Sequence, residues 1–122
     1  MNDKTTLLYI DDEPINLMLF TAILKDNCDI VTGLSGFDGL EKLDKHPDIK
    51  FVFSDMKMPG MDGIEFVKQA RQKFPDITYF LVTGYDINEE INKAIENKLI
   101  AKYFNKPFDI KEIRKTIDSI KK

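Results

Sequence analysis

The feature that most constrains this chain is a fivefold alternation of short apolar runs with longer segments of helical periodicity. Strand-like runs lie at residues 5–10, 30–32, 51–55, 79–82 and 102–105, and helical patterns lie at 14–25, 35–46, 63–73, 88–97 and 109–120. Parallel strands need a crossover of helical length between them, and such crossovers place helices on both faces of a sheet. The alternation therefore predicts one α/β domain built on a doubly wound parallel sheet.

Particular residues mark the expected ends of the helices. Pro14 suits a first helical turn, because its φ is fixed and it has no amide hydrogen to leave unpaired. Asp62 is a good N-cap for the third helix, and Asn97 is expected to end the fourth. The second helix has apolar residues at helical spacing, namely Phe37, Leu40 and Leu43.

Polar or charged residues stand at the ends of four of the expected strands. They are Asp11 and Asp12 after the first strand, Asp55 at the end of the third, Thr83 after the fourth and Lys106 after the fifth. The carboxyl ends of parallel strands meet along one edge, where open α/β sheets bind their ligands. These side chains are therefore expected to share one crevice, and we interpret Asp55 as the reactive group.

This set of residues, with the motifs around it, resembles the receiver domain of bacterial two-component response regulators. The turn Asp-x-x-x-Pro-Gly-Met-Asp-Gly begins at Asp55, and the segment Tyr-x-x-Lys-Pro-Phe begins at Tyr103. The resemblance covers essentially the whole chain and implies a flavodoxin-like (βα)5 fold with strand order 2-1-3-4-5. It also implies a single receiver domain over residues 1–122, with no effector domain in this sequence.

Three crowded carboxylates repel one another unless a cation neutralises them. Mg²⁺ suits such a site, because it is held by one or two carboxylates together with water and phosphoryl oxygens. We expect Asp11, Asp12 and Asp55 to hold Mg²⁺. The resemblance adds the backbone carbonyl of Lys57 to this set of ligands.

The resemblance implies that Asp55 accepts a phosphoryl group. A carboxylate is a competent nucleophile and needs no general base. The Lys106 ammonium and the Thr83 hydroxyl are expected to contact the phosphoryl oxygens, and a cis peptide bond between Lys106 and Pro107 is expected to aim the lysine into the site. Such a domain catalyses only its own phosphorylation and dephosphorylation and is not otherwise an enzyme.

The resemblance also implies a switch and a set of partners. Thr83 moves toward the phosphoryl group, Tyr103 rotates inward, and the surface of the fourth helix, fifth strand and last helix changes. The implied partners are a histidine kinase or histidine phosphotransfer protein, a downstream effector, and a second copy of the phosphorylated chain. The first helix is apolar on more than one face: either these residues pack against the sheet and the last helix, or Ile15 and Met18 form a docking patch for a histidine-bearing helix.

Composition excludes several other classes of protein. The chain has 43% hydrophobic and 32% charged residues and a net charge of -3, so it has no basic footprint for direct contact with nucleic acid. No apolar run approaches the roughly 20 residues needed to span a membrane, and no secretory signal is present, so a cytoplasmic location is expected. Cys28 is alone and cannot form an internal disulfide, and His46, beside a proline at a helix end, is assigned no role.

Three alternatives stay open at the level of sequence. A phosphohydrolase of the haloacid dehalogenase type also uses a strand-end aspartate with Mg²⁺, but it needs a second aspartate where this chain has Lys57. A flavodoxin-like cofactor module needs a hydroxyl-rich phosphate loop where this chain has acidic residues. A receiver that is not phosphorylated and only binds partners would retain the fold.

The sequence departs from the usual receiver pattern before the fifth strand, where it has Leu99-Ile100 in place of the Gly-Ala pair that receivers commonly carry.

Overall fold

The computed structural model describes residues 5–26, 28–84, 89–106 and 109–121. Five parallel strands form one sheet: β1 (Thr5–Ile10), β2 (Cys28–Gly33), β3 (Ile49–Asp55), β4 (Thr78–Thr83) and β5 (Lys102–Asn105). The helices are α1 (Pro14–Leu24), α2 (Gly36–Lys45), α3 (Gly63–Lys73), α4 (Glu89–Glu96) and α5 (Ile110–Lys121). The strand order is β2-β1-β3-β4-β5, which confirms the predicted fold class and the predicted order. None of the helices in the described ranges combines the length and apolar character that crossing a bilayer requires.

Side chains of the strands alternate between two hydrophobic cores, one on each face of the sheet. In β1, Leu7 and Tyr9 belong to a core that α1 and α5 cover, which we call the α1/α5 core. Leu8 and Ile10 belong to a second core, which α2, α3 and α4 cover. Because both faces are covered, the central strands β1, β3 and β4 are apolar along most of their length, whereas the edge strands β2 and β5 are more polar and less buried.

Aromatic rings dominate the α1/α5 core. Tyr9 stacks on Phe20 of α1 with ring centroids 4.2 Å apart, and Phe53 stacks on Phe80 at 4.7 Å. Phe104 lies 5.7 Å from each of the last two rings. Stacked and tilted aromatic pairs stabilise by roughly 0.5–1.5 kcal/mol beyond the area that they bury. The rings therefore tie β1, β3, β4 and β5 together on one face of the sheet.

The helix ends follow the sequence signals closely. Pro14 occupies the first turn of α1. The side chain of Asp62 accepts a hydrogen bond of 2.9 Å from the Glu65 amide and so caps α3. Asn97 directly follows the last residue of α4, as predicted. These ends are predictable because each rests on local backbone chemistry.

The second strand is longer than the predicted segment 30–32. It pairs with β1 along its full length, from Thr5 opposite Cys28 to Ile10 opposite Gly33. Cys28 is buried in the α1/α5 core, while Asp29 beside it is exposed. The local apolar pattern was too short to predict these ends, because pairing with a neighbouring strand determines them.

Two of the three predicted apolar positions of α2 face the core: Leu43 is buried, and Leu40 packs partly buried against the core that α2, α3 and α4 cover. Phe37 is instead 60% exposed, and Gly36 and Gly39 are buried. A Cβ on Gly39 would lie 2.3 Å from the Cδ1 atom of Ile10, so glycine allows the helix to approach β1 closely. The signal that would have identified this face is the helical spacing of two small residues with Leu43.

Helix α1 buries one side only. Leu17, Phe20 and Leu24 enter the α1/α5 core, whereas Ile15 and Met18 are 63% and 69% exposed. The alternative in which these two residues pack against the sheet and the last helix is therefore wrong. They belong to an apolar patch at the start of α1.

The exit from α4 contains the residues that depart from the Gly-Ala pair. The Lys98 amide donates to the Ile95 carbonyl at 3.0 Å, and the Leu99 amide donates to the Ala94 carbonyl at 2.9 Å. This is the Schellman arrangement, in which the residue after the C-cap adopts a left-handed conformation. Lys98 takes that conformation with a φ of 61°, although it has a side chain.

Substituting Lys98→Gly should stabilise the protein by roughly 0.5–1 kcal/mol, since glycine adopts positive φ without steric cost. Chemical denaturation would measure the change. The matched control is Asn97→Gly at the preceding residue, which is not among the positive-φ positions of the described chain and should gain nothing. Equal effects of the two substitutions would contradict this account of the helix end.

Candidate functional site

Backbone pairing places the site residues at the carboxyl edge of the sheet. Asp11 follows β1, and its amide donates to the Gly33 carbonyl at 3.1 Å. Asp55 ends β3, opposite Val82 of β4. The Lys106 amide donates to the carbonyl of Thr83, the last residue of β4, at 2.9 Å. Hydrogen bonding thus continues just past the strand ends, so the backbone that carries these side chains is held by the sheet.

Three carboxylates converge at this edge, as the sequence predicted. One oxygen from each of Asp11, Asp12 and Asp55 lies within 4.8 Å of the others. Asp11 and Asp55 are buried, while Asp12 is exposed. A set made only of oxygen donors, open to solvent on one side, fits a hard cation such as Mg²⁺ that keeps part of its water shell.

The ammonium group of Lys106 bridges the two buried carboxylates. Its Nζ atom lies 3.0 Å from Oδ2 of Asp11 and 3.3 Å from Oδ2 of Asp55. Burial by itself would lower the pKa of Lys106, but the contacts with Asp11 and Asp55 outweigh it and raise that pKa. Lys106 therefore stays charged and offsets the repulsion between the carboxylates.

Asp11 is held by donors on both of its oxygens. The Tyr9 hydroxyl donates to Oδ2 at 2.6 Å, and the Glu13 amide donates to Oδ1 at 3.0 Å. Burial opposes ionisation of Asp11, but these hydrogen bonds and Lys106 outweigh it and lower its pKa. The same hydrogen bond has the opposite effect on the pKa of Tyr9. Burial is the larger cause and the bond to Asp11 the second, and both raise the pKa of this phenol. Asp11 is thus ionised and Tyr9 is a neutral donor.

Tyr9 was not predicted as a site residue and was assigned only to a strand. The available signal was its position two residues before Asp11. Residues i and i+2 of a strand lie on the same face, so a tyrosine there is placed to reach the carboxylate that follows.

Asp55 titrates differently from Asp11. Burial, followed by the charge of Asp11, raises the pKa of Asp55 to about 6, although Lys106 opposes this shift. The two carboxylates therefore differ because donors surround Asp11, whereas Asp55 is buried beside another negative charge. A divalent cation held between them would favour the ionised form of both.

Two glycines determine the shape of the loop after Asp55. The Gly63 amide donates to the Met56 carbonyl at 2.8 Å, and a Cβ on Gly63 would lie 2.6 Å from the carbonyl oxygen of Asp55. Gly60 has a φ of 83°, a conformation that favours glycine. The side chain of Lys57, in the same loop, is exposed. These contacts explain why the turn needs glycine at both places.

Thr83 and Tyr103 share a face of the sheet with α4. Thr83 is buried, and Tyr103 is half-buried and packs against the core that α2, α3 and α4 cover. Tyr103 pairs with Leu81, two residues before Thr83 on the neighbouring strand. Of the other predicted residues, Pro107 lies outside the described residues, so the cis bond to Lys106 is not described. His46 follows α2 as its C-cap residue.

Comparison with known proteins identifies the same family along nearly the whole chain. Residues 7–118 match the family model described as the response regulator receiver domain. The chain is 35% identical over 124 residues to sporulation initiation phosphotransferase F of Bacillus subtilis, covering 100% of this chain and 94% of that protein. It is 29% identical over 109 residues to the hydrogenase transcriptional regulatory protein HoxA of Cupriavidus necator, covering 88% of this chain but 22% of that protein.

Solved structures agree on the fold. The CheY-like response regulator receiver domain protein of Methanospirillum hungatei JF-1 superposes with a TM-score of 0.87 at 23% identity, covering 96% of this chain and 93% of that one. Since the family match spans both the strands and the loops that carry the acidic cluster and Lys106, the chain belongs to the response regulator receiver domains of two-component systems.

Proposed function

We propose that this domain accepts a phosphoryl group on Asp55, with Mg²⁺ held beside it, from a phosphohistidine of a kinase or phosphotransfer protein. The observation that carries the proposal is the convergence of three carboxylates with Lys106, whose Nζ atom lies 3.3 Å from Oδ2 of Asp55. The similarity to a sporulation phosphotransferase over 94% of that protein's length supports it. In this proposal the domain is itself phosphorylated as part of signalling, and it does not turn over a separate substrate.

In the proposed transfer, a carboxylate oxygen of Asp55 attacks the phosphorus atom. A bond from that oxygen to phosphorus forms while the bond from phosphorus to the imidazole nitrogen breaks, and the imidazole leaves with the electron pair. The carboxylate needs no general base, because it carries no proton when ionised. Lys106 keeps its ammonium beside the acceptor and contacts the phosphoryl oxygens, whose charge it helps to neutralise.

Asp11, Asp12 and Asp55 are the residues that would hold Mg²⁺, together with the backbone carbonyl of Lys57 by family resemblance. When bound, the ion supplies positive charge to the carboxylates and to a phosphoryl oxygen. Asp12 is the exposed member of the set, which supports entry of the ion from solvent on its side. Among the residues that the structure describes, Tyr9, the Glu13 amide and Lys106 all donate to Asp11, so the chain closely controls the orientation of this ligand.

The proposed output uses Thr83 and Tyr103. After transfer, the Thr83 hydroxyl donates to a phosphoryl oxygen, and Tyr103 moves into the space beside it. Their common face of the sheet supports this coupling, since Tyr103 packs on the same core as α4. The surface of α4, β5 and α5 then changes and binds a downstream effector or a second copy of the domain.

The proposed donor docks on α1. Ile15 and Met18 are both more than half exposed at the start of that helix, directly after the acidic residues. An exposed apolar patch of this kind is typical of a protein contact. A histidine-bearing helix resting on Ile15 and Met18 would present its phosphohistidine toward the carboxyl edge where Asp55 lies.

Phosphorylation can be tested with a small donor. Acetyl phosphate and Mg²⁺ should add one phosphoryl mass to the intact wild-type protein and none to Asp55→Asn, because the nucleophilic oxygen is lost. The matched control is Asp62→Asn, the same change in the adjoining loop, where asparagine still caps α3. Intact-protein mass spectrometry would measure the product. Labelling of Asp55→Asn to the wild-type extent would end the proposal.

The raised pKa of Asp55 predicts a pH-dependent stability. The folded protein binds a proton on Asp55 more tightly than the unfolded chain, so this group's contribution is fully present below the ordinary aspartate pKa of 3.8 and is lost as pH rises through about 6. Without metal, Asp55→Asn should therefore be more stable than wild type at about pH 7.5, by on the order of 2 kcal/mol, and should lose most of that advantage at about pH 4.5.

Denaturant titrations at the two pH values would measure this difference in the free energy of unfolding. Adding Mg²⁺ at the higher pH serves as the control, because the ion stabilises only the protein that binds it and should reduce the advantage of Asp55→Asn. A constant difference between the two proteins at both pH values would contradict the account of Asp55.

A further inference from the structure

A buried phenol stands beside the first carboxylate of the site. Tyr9 is 0% exposed, and its hydroxyl donates to Oδ2 of Asp11 at 2.6 Å. The strand geometry brings them together, because Asp11 directly follows β1, and the spacing of two residues places its side chain on the same face of the sheet as Tyr9. The contact joins a core residue to a candidate metal ligand.

The position of the Tyr9 ring is set by packing and not by Asp11. The ring stacks on Phe20 with an interplanar angle of 18°, and Tyr9 lies between Thr32 and Phe53 in the register of the sheet. A ring enclosed on the sheet in this way cannot follow a moving carboxylate. The hydroxyl therefore acts as a fixed donor to which the carboxylate must orient.

The other donor to Oδ2 of Asp11 is Lys106, which is shared with Asp55. In the proposed transfer, that ammonium contacts the phosphoryl oxygens and its hold on Asp11 is reduced. The hydrogen bonds from the Tyr9 hydroxyl to Oδ2 and from the Glu13 amide to Oδ1 do not involve Lys106 and can hold Asp11 without it. Partners of this kind orient a metal ligand, and their loss typically weakens metal binding by about 10- to 100-fold.

We propose that Tyr9 is a positioning residue for Mg²⁺: its hydroxyl fixes the Asp11 carboxylate so that the remaining lone pairs face the oxygens of Asp12 and Asp55. Tyr9 acts through Asp11 and touches neither the ion nor the phosphoryl group. The inference rests on the proposed function, because it assigns a role toward the ion that the proposed site holds.

Two conservative variants separate positioning from stability. Tyr9→Phe keeps the ring that stacks on Phe20 and removes only the hydroxyl. Tyr79→Phe is the matched control: Tyr79 is also a buried strand tyrosine, and its hydroxyl donates to the Phe74 carbonyl at 2.8 Å, near the start of β4 and away from the carboxyl edge. Each variant loses one hydroxyl hydrogen bond, which is buried at Tyr9 and part-buried at Tyr79.

The measurement is an amide chemical-shift titration with Mg²⁺, in which the half-saturating concentration is compared among wild type and the two variants. Tyr9→Phe should raise that concentration about tenfold, and Tyr79→Phe should leave it unchanged. With acetyl phosphate, the phosphorylation rate of Tyr9→Phe should fall at limiting Mg²⁺ and recover toward the wild-type rate at saturating Mg²⁺. A purely structural role would not give this dependence on the metal concentration.

A rise of less than about threefold for Tyr9→Phe, or an equal rise for both variants, would overturn the inference. If wild type itself shows no saturable Mg²⁺ binding, the proposed function fails and the inference fails with it. Wild-type binding with an unaffected Tyr9→Phe refutes the inference alone. If circular dichroism shows that Tyr9→Phe does not fold, the inference is tested on the wild type through the resonance of the Tyr9 hydroxyl proton. A hydrogen-bonded resonance that persists at saturating Mg²⁺ supports the positioning role. Loss of that resonance overturns it.

Discussion

The bridge that Lys106 makes between Asp11 and Asp55 is the interaction on which the site depends. Two buried carboxylates this close together destabilise the fold unless a positive charge lies between them. Lys106 supplies that charge while no other cation is bound. The same ammonium lies beside Asp55, the proposed acceptor, so one residue serves both the stability of the fold and the proposed chemistry.

The sheet has two faces, and the site takes a different contribution from each. Tyr9 and the aromatic rings of the α1/α5 core pack on the face of the sheet from which Asp11 and Asp55 project, beneath the carboxyl edge. Thr83 and Tyr103 lie on the face that α4 covers. A packed edge that carries Asp55 on one face and a half-buried tyrosine on the other are consistent with the proposed function, in which the acceptor stays in place while part of the surface changes.

The sequence alone predicts those features of the fold and of the candidate site that depend on local residue pattern or on strand order. Asp11, Asp55 and Lys106 were predicted to meet because parallel strands end along one edge, whatever the details of packing. The exposure of Phe37 depends on how α2 approaches the sheet, which residue type alone does not determine. The Tyr9 hydrogen bond was missed although the spacing of two residues allows it, because a tyrosine in a strand does not reveal which polar group its hydroxyl contacts. The full length of β2 was missed because pairing with β1, and not the apolar residues of β2 itself, determines where that strand ends.

The end of β1 connects both hydrophobic cores to the acidic edge through three consecutive residues. Tyr9 packs beneath α1, Ile10 fits against the glycine face of α2, and Asp11 follows directly. Repacking under either helix would therefore shift the peptide that carries the carboxylate. For the proposed Mg²⁺ site, substitutions at buried apolar positions would then change the affinity for the ion without altering any residue that solvent or a partner protein can touch.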